Sequence, residues 1–168
     1  MKNYLKNLFE DIDANKDGRL CFDELQEALR RGQPNSEFNV KTVQLLFEKY
    51  DRNKDGEIDF DGFYDMYVYL NNEYFTFLNM DRDGNGVVDA DELRDSFLKR
   101  GYKFNRDFFS YIENTMRETN KNGITFDNYC RLTARFDYLT NIFSNTPRYQ
   151  VSHTLESYLK KTFFFNFW

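Results

Sequence analysis

The chain has 168 residues, with 23 basic against 28 acidic side chains and a formal net charge of −5, a balance that excludes a general nucleic-acid binder because phosphate contacts need concentrated positive charge. Its two cysteines, Cys21 and Cys130, are too few for a disulfide framework, so a reducing compartment is expected, and neither a signal peptide nor a membrane-spanning run is legible. With 19 Phe and 12 Tyr against 2 Pro, the composition suits a helix-packed core, as one domain or two small lobes, with apolar surface to spare.

Tyr4, Leu5, Leu8, Phe9 and Ile12 recur at helical spacing, as do Leu25, Ala28 and Leu29. Between these helices lies DANKDGRLCFDE, Asp13 to Glu24, with oxygen-bearing side chains at positions one, three and five, glycine at six, an aliphatic residue at eight and glutamate at twelve. Calcium is a hard cation that takes six to eight oxygens, and alternate residues of a tight loop point theirs inward. The expected ligands are Asp13, Asn15, Asp17, the Arg19 carbonyl and both carboxylate oxygens of Glu24. Cys21 holds the ninth position, where its thiol is a poor substitute for an oxygen.

Val43, Leu46, Phe47 and Tyr50 predict the next helix, which leads into DRNKDGEIDFDG, Asp51 to Gly62. This second loop offers Asp51, Asn53, Asp55, the Glu57 carbonyl and Asp59, but its twelfth residue is Gly62 rather than a clamping glutamate. Asp61 comes one residue too early, which on a helix turns it roughly 100° away. Two readings stay open. The stretch around Ile58 pairs with Leu20 and merely supports the first loop, or the loop takes a weak, magnesium-like third ion.

A helix of roughly 30 Å is predicted from Asp59 to Met80, with Phe63, Met66, Tyr67, Leu70, Tyr74, Phe77 and Leu78 along it. It delivers the third loop, DRDGNGVVDADE, whose ligand set is Asp81, Asp83, Asn85, the Val87 carbonyl and Glu92, with Asp89 at position nine. A fourth loop, Arg117 to Asn128, keeps Ile124 at position eight but carries Arg117, Lys121 and Asn128 where the acids should stand. Helices over Asn105–Met116 and Phe126–Phe143 flank it. A fifth candidate loop lies around Ser144 to His153, interrupted by Pro147, before a helix from Thr154 to Phe165 bearing Leu155, Tyr158, Leu159 and Phe163. Repetition on this scale predicts an all-α chain of five helix–loop–helix units over 1–168, near 3–32, 39–70, 71–102, 105–135 and 136–168, joined by short two-residue β pairings between loops.

The loop starts at 13, 51 and 81 resemble the penta-EF-hand family. So do Gly101-Tyr102-Lys103-Phe104, Gly123-Ile124-Thr125-Phe126-Asp127-Asn128-Tyr129 and Leu139-Thr140-Asn141-Ile142-Phe143. The resemblance implies calcium in the first and third units and dimerisation, homo- or heteromeric, through the fifth, about 144–168. A fifth unit has no partner in its own chain, and two-fold pairing would satisfy both exposed loop edges. The apolar tail Phe163 to Trp168 suits such an interface. The expected function is a calcium sensor or adaptor that exposes apolar surface to a protein target or a membrane. Magnesium competes for the sites. Alternatives are a calcium buffer or store associated with granules or vesicles, as in the family's grainin group, and a non-catalytic subunit of a larger enzyme. The expected location is cytoplasmic. Catalysis is not expected, since the single histidine, His153, falls in a degraded loop and no nucleophile–base arrangement is visible.

Overall fold

The computed structural model describes residues 2–32, 38–117, 122–145 and 154–165, the side chains of 31–32 and 163–165 excepted. The chain divides into two compact units, Met1–Thr76 and Phe77–Trp168. The first holds α1 (Lys2–Ile12), α2 (Phe22–Gly32), α3 (Val40–Tyr50) and most of α4 (Phe60–Met80). The second holds the end of α4, then α5 (Ala90–Lys99), α6 (Arg106–Met116), α7 (Phe126–Asn145) and α8 (Leu155–Phe165). Among the described residues there is no strand, only the isolated antiparallel bridges Leu20–Ile58 and Val88–Ile124.

Each bridge joins the eighth residues of two loops. Leu20 and Ile58 exchange backbone N–H···O bonds of 2.8 and 2.9 Å, and Val88 and Ile124 do the same at 2.9 and 2.8 Å. All four side chains are fully buried, so each pairing is the point where two loops share a core. The pairing ends after one residue from each loop because helices begin two residues later, at Phe22, Phe60, Ala90 and Phe126. Gly123 makes the second bridge possible. A Cβ there would stand 2.9 Å from Val87 Cγ2 and 3.0 Å from the Val88 carbonyl oxygen.

The first unit, which holds the Leu20–Ile58 bridge, buries Leu5, Phe9, Leu25, Val43, Leu46, Phe63 and Met66 in its core. Phe9 meets Phe60 and Phe63 edge-on at 5.6 and 5.5 Å, an arrangement the ring quadrupoles favour. In the second unit Phe97 and Tyr102 both meet Phe136 edge-on at 5.0 Å, and Phe77 at the end of α4 packs on Phe126 and Tyr129. α8 docks on α7, with Phe143 against Tyr158 at 5.4 Å. Cys130 is buried in α7, and Cys21 sits half-buried just ahead of α2.

The apolar spacing overstated some burial. Tyr4 stands in solvent, and on α4 the buried stripe is Phe63, Met66, Phe77 and Met80, while Tyr74 and Leu78 are exposed. A straight helix of this length drifts relative to a repeat of three and four, so one stripe of apolar positions cannot face the same neighbours from end to end. The fifth loop from 146 to 153, His153 and the tail residues 166–168 lie outside the described residues, as do 118–121 of the fourth loop. No described helix is long and apolar enough to cross a membrane.

Candidate metal sites

Loops 1, 2 and 3 share one backbone shape. Position four is left-handed in each, with φ of +59° at Lys16, +59° at Lys54 and +70° at Gly84, and position six follows at +81°, +87° and +81° at Gly18, Gly56 and Gly86. For the two lysines this conformation is strained and persists only where the loop's other bonds fix it.

Those bonds run from the candidate ligands themselves. In loop 1, Asp13 is buried; its Oδ2 accepts the Gly18 N–H at 2.8 Å and its Oδ1 the Asp17 N–H at 3.3 Å. Asn15 Oδ1 accepts from the Asp17 N–H at 2.9 Å, and Asp17 Oδ1 from the Arg19 N–H at 2.9 Å. Glu24 closes the ring from α2: Oε1 accepts the Ala14 N–H at 3.0 Å, and Oε2 the Cys21 N–H at 2.9 Å. Burial pushes the Glu24 carboxyl up, but the donors of Cys21, Ala14 and Asn15 outweigh it and hold the group below the usual value of 4.5.

Loop 3 repeats the pattern. Asp81 Oδ2 accepts the Gly86 N–H at 2.9 Å, Asp83 Oδ1 the Asn85 N–H at 3.1 Å, and Asn85 Oδ1 the Val87 N–H at 2.9 Å. Glu92 is buried and reaches back so that its Oε1 accepts the Arg82 N–H at 2.9 Å. One carboxylate oxygen from each of Asp81, Asp83 and Glu92 falls within 4.8 Å of the others. Three carboxylates held this close repel one another unless a cation sits among them. Every donor offered is an oxygen, which suits a hard divalent ion such as calcium and fits poorly with zinc or copper.

Asp89, at position nine, has a second task. It is the N-cap of α5, accepting from the N–H groups of Asp91 and Glu92 at 2.9 and 2.8 Å in a capping box with Glu92. Asp59 does the same in loop 2, its Oδ1 accepting the Gly62 N–H at 2.7 Å. The weak second site therefore has Asp59 as a helix cap. Of its other expected members, Asp51 is buried, with Oδ2 on the Gly56 N–H at 3.1 Å. Asn53 donates to Asp55 Oδ2 at 2.7 Å.

Three contacts were not foreseen from the sequence. Arg19 reaches from loop 1 into loop 2, with Nη1 at 2.5 Å from Asp55 Oδ2 and Nε at 3.6 Å from Glu57 Oε2. Partial desolvation raises the exposed Asp55 carboxyl, but bonds from Asn53 and Glu57 and the charge and bond of Arg19 together bring it below its usual 3.8. The signal was an arginine at position seven beside a paired loop with Asp55 and Glu57. Glu113 Oε2 of α6 accepts the Ala90 N–H at 3.2 Å, placing a carboxylate at the N-terminus of α5. In the fourth loop, Asn128 Nδ2 donates to the Met116 carbonyl at 2.6 Å, so the twelfth residue is tied directly to the loop's start.

A family profile described as "EF-hand domain pair" matches residues 2–68, and one described as "EF hand" matches residues 76–98. Human grancalcin (Homo sapiens) is 29% identical over 141 residues, which are 82% of this chain and 64% of grancalcin. Sorcin from Schistosoma japonicum is 29% identical over 156 residues, covering 93% of this chain and 90% of its own length. The chain thus spans just under two thirds of human grancalcin and nearly all of the Schistosoma protein. A solved structure of a homolog of programmed cell death 6 protein from Leishmania major Friedlin superposes with a TM-score of 0.72 at 26% identity, over 89% of this chain and 81% of that one.

Proposed function

Because the chain belongs to the penta-EF-hand family of calcium-binding proteins, we propose that it is a calcium sensor or adaptor that loads its first and third loops and offers apolar surface to a target. The observation that carries this reading is the convergence of Asp81, Asp83 and Glu92. In this reading Asp13, Asn15, Asp17 and Glu24 of loop 1, with the Arg19 carbonyl, make the second site, and Asn85 and the Val87 carbonyl complete the third loop. Two bound calcium ions would supply four positive charges and take the formal −5 to about −1, a change that favours association with other surfaces.

The chain's own part is mechanical. Glu24 and Glu92 each sit on the first turn of an exiting helix, α2 or α5, and now hold backbone N–H groups of their loops. Exchanging those donors for an ion changes the pull on each helix, and α2 and α5 pack against α3 and α6. Phe75 in the first unit and Leu78 in the second are each exposed apolar side chains. Dimerisation through the fifth unit and a cytoplasmic location, with attachment to granules or vesicles, belong to the same reading.

Titrating calcium into the full chain with an apolar fluorescent dye tests it: dye emission should rise with saturation at two ions. Saturation without a dye response would favour a calcium buffer instead. Sedimentation at the same concentrations tests the dimer.

A further inference from the structure

Arg19 brings two opposed groups to loop 1. At position seven its carbonyl is an expected calcium ligand, and its N–H already donates to Asp17 Oδ1 at 2.9 Å. Its side chain, however, carries a permanent positive charge into a loop whose carboxylates must receive a cation. A guanidinium is shaped to grip carboxylates with parallel N–H groups, so one attached at position seven is a built-in competitor for Asp13 and Asp17.

The fold disposes of that competitor by turning it across the loop pair. Arg19 Nη1 lies 2.5 Å from Asp55 Oδ2, and Nε lies 3.6 Å from Glu57 Oε2. These acids stand at positions five and seven of loop 2, beside the Leu20–Ile58 bridge that fixes the two loops in register. The other loop pair offers a contrast. Loop 3 has the apolar Val87 at position seven, and loop 4 has Lys121 and Gly123 at positions five and seven. Where there is no arginine to hold, no acids stand opposite. The side chains of Arg19, Asp55 and Glu57 are 38–40% exposed, so a substitution among them removes a charge contact and leaves the core intact.

We propose that Asp55 and Glu57 are positioning residues for the calcium site of loop 1: they hold the Arg19 guanidinium off that loop's carboxylates, so that its carbonyl contributes while its charge does not compete. Loop 2 then acts on loop 1 through side chains, beyond the backbone bridge. A unit charge released beside a divalent-ion site near the surface should change affinity roughly threefold to tenfold. The inference rests on the calcium reading of loop 1 and needs no ion in loop 2.

The test is calcium titration of the full chain followed by amide nuclear magnetic resonance. The Gly18 amide reports on loop 1 and the Gly86 amide on loop 3, since each donates to the first aspartate of its own loop. Glu57→Gln should move the Gly18 midpoint to roughly threefold to tenfold higher calcium, and this shift should shrink with added salt. The Gly86 midpoint should stay in place, which also shows that the variant is folded. Combined with Arg19→Met, the same Glu57→Gln change should lose its effect, because no guanidinium remains to be released. A Gly18 midpoint that ignores Glu57→Gln in the otherwise wild-type chain would overturn the proposal. So would an equal shift with and without Arg19, which would mark a plain loss of negative charge. A wild-type Gly18 amide indifferent to calcium would sink the calcium reading of loop 1, and this inference with it.

Discussion

Gly62, at the start of α4, lies so close to the Tyr50 carbonyl oxygen that any side chain at this position would meet backbone at 2.7 Å. Replacing a helical glycine by alanine ordinarily stabilises by up to about 1 kcal/mol. Here the clash decides the sign, because neither a carbonyl nor the first turn of a helix can move aside cheaply. We expect Gly62→Ala to destabilise the first unit by about 1–3 kcal/mol, read from urea unfolding followed by circular dichroism. Gly62→Glu, which restores the sequence template, should lose stability too and create no tight calcium site. A gain of such a site by calorimetry would show that α4 is free to shift.

Asn128 and Met116 make the equivalent closure in the fourth loop through a buried hydrogen bond of 2.6 Å. Asn128→Ala leaves the Met116 carbonyl without this donor, at a cost of about 1–3 kcal/mol. Asn128→Asp should be at least as damaging, since it sets a carboxylate oxygen against the carbonyl. Calcium should rescue neither, because Arg117 and Lys121 place positive charge at positions one and five. Thermal melts with and without calcium check both variants.

Glu24 and Glu92 are the residues that couple each loop to its exiting helix. Substituting either by glutamine removes a charge and the bidentate grip, and should weaken calcium at that loop on the order of tenfold or more. The two losses should be independent in the main, since the loops belong to different units. Titration of each single variant should show one site lost and one retained. If both sites weaken together, the loops are coupled more strongly than this division implies.

Acid sensitivity follows from Glu24. Its carboxyl lies below 4.5 in the folded chain, so its contribution to stability is fully present above the unfolded value and is lost as pH falls through the lower folded one. Glu24→Gln should therefore flatten the fall in melting temperature of the metal-free protein between roughly pH 5 and pH 3. The group is only half-buried, so the effect should be modest and should shrink with added salt. An unchanged pH profile would remove Glu24 from the acid response.

Much of this was legible because loop chemistry is local. The predicted helix over Asp59–Met80 is α4 at Phe60–Met80, and the one over Asn105–Met116 is α6 with Asn105 as its N-cap. The expected meeting of Ile58 with Leu20 is the bridge observed. Less legible was which apolar residues remain outside. Tyr74 and Leu78 fit the helical spacing as well as Met66 does, and their exposure depends on what stands opposite them.

The sequence by itself determined the loops, their order and their oxygen-bearing side chains, because a twelve-residue turn around a cation is specified by residues next to one another in the chain. Tertiary structure alone decided what the imperfect loops became. Asp59 became a helix cap, Asn128 a tie to Met116, and Arg19 the charge that faces Asp55 and Glu57. Gly62 became the contact surface for Tyr50. Each of these joins groups that only the packing of one loop or helix against another brings within reach, and distance in space, not spacing in sequence, sets such interactions.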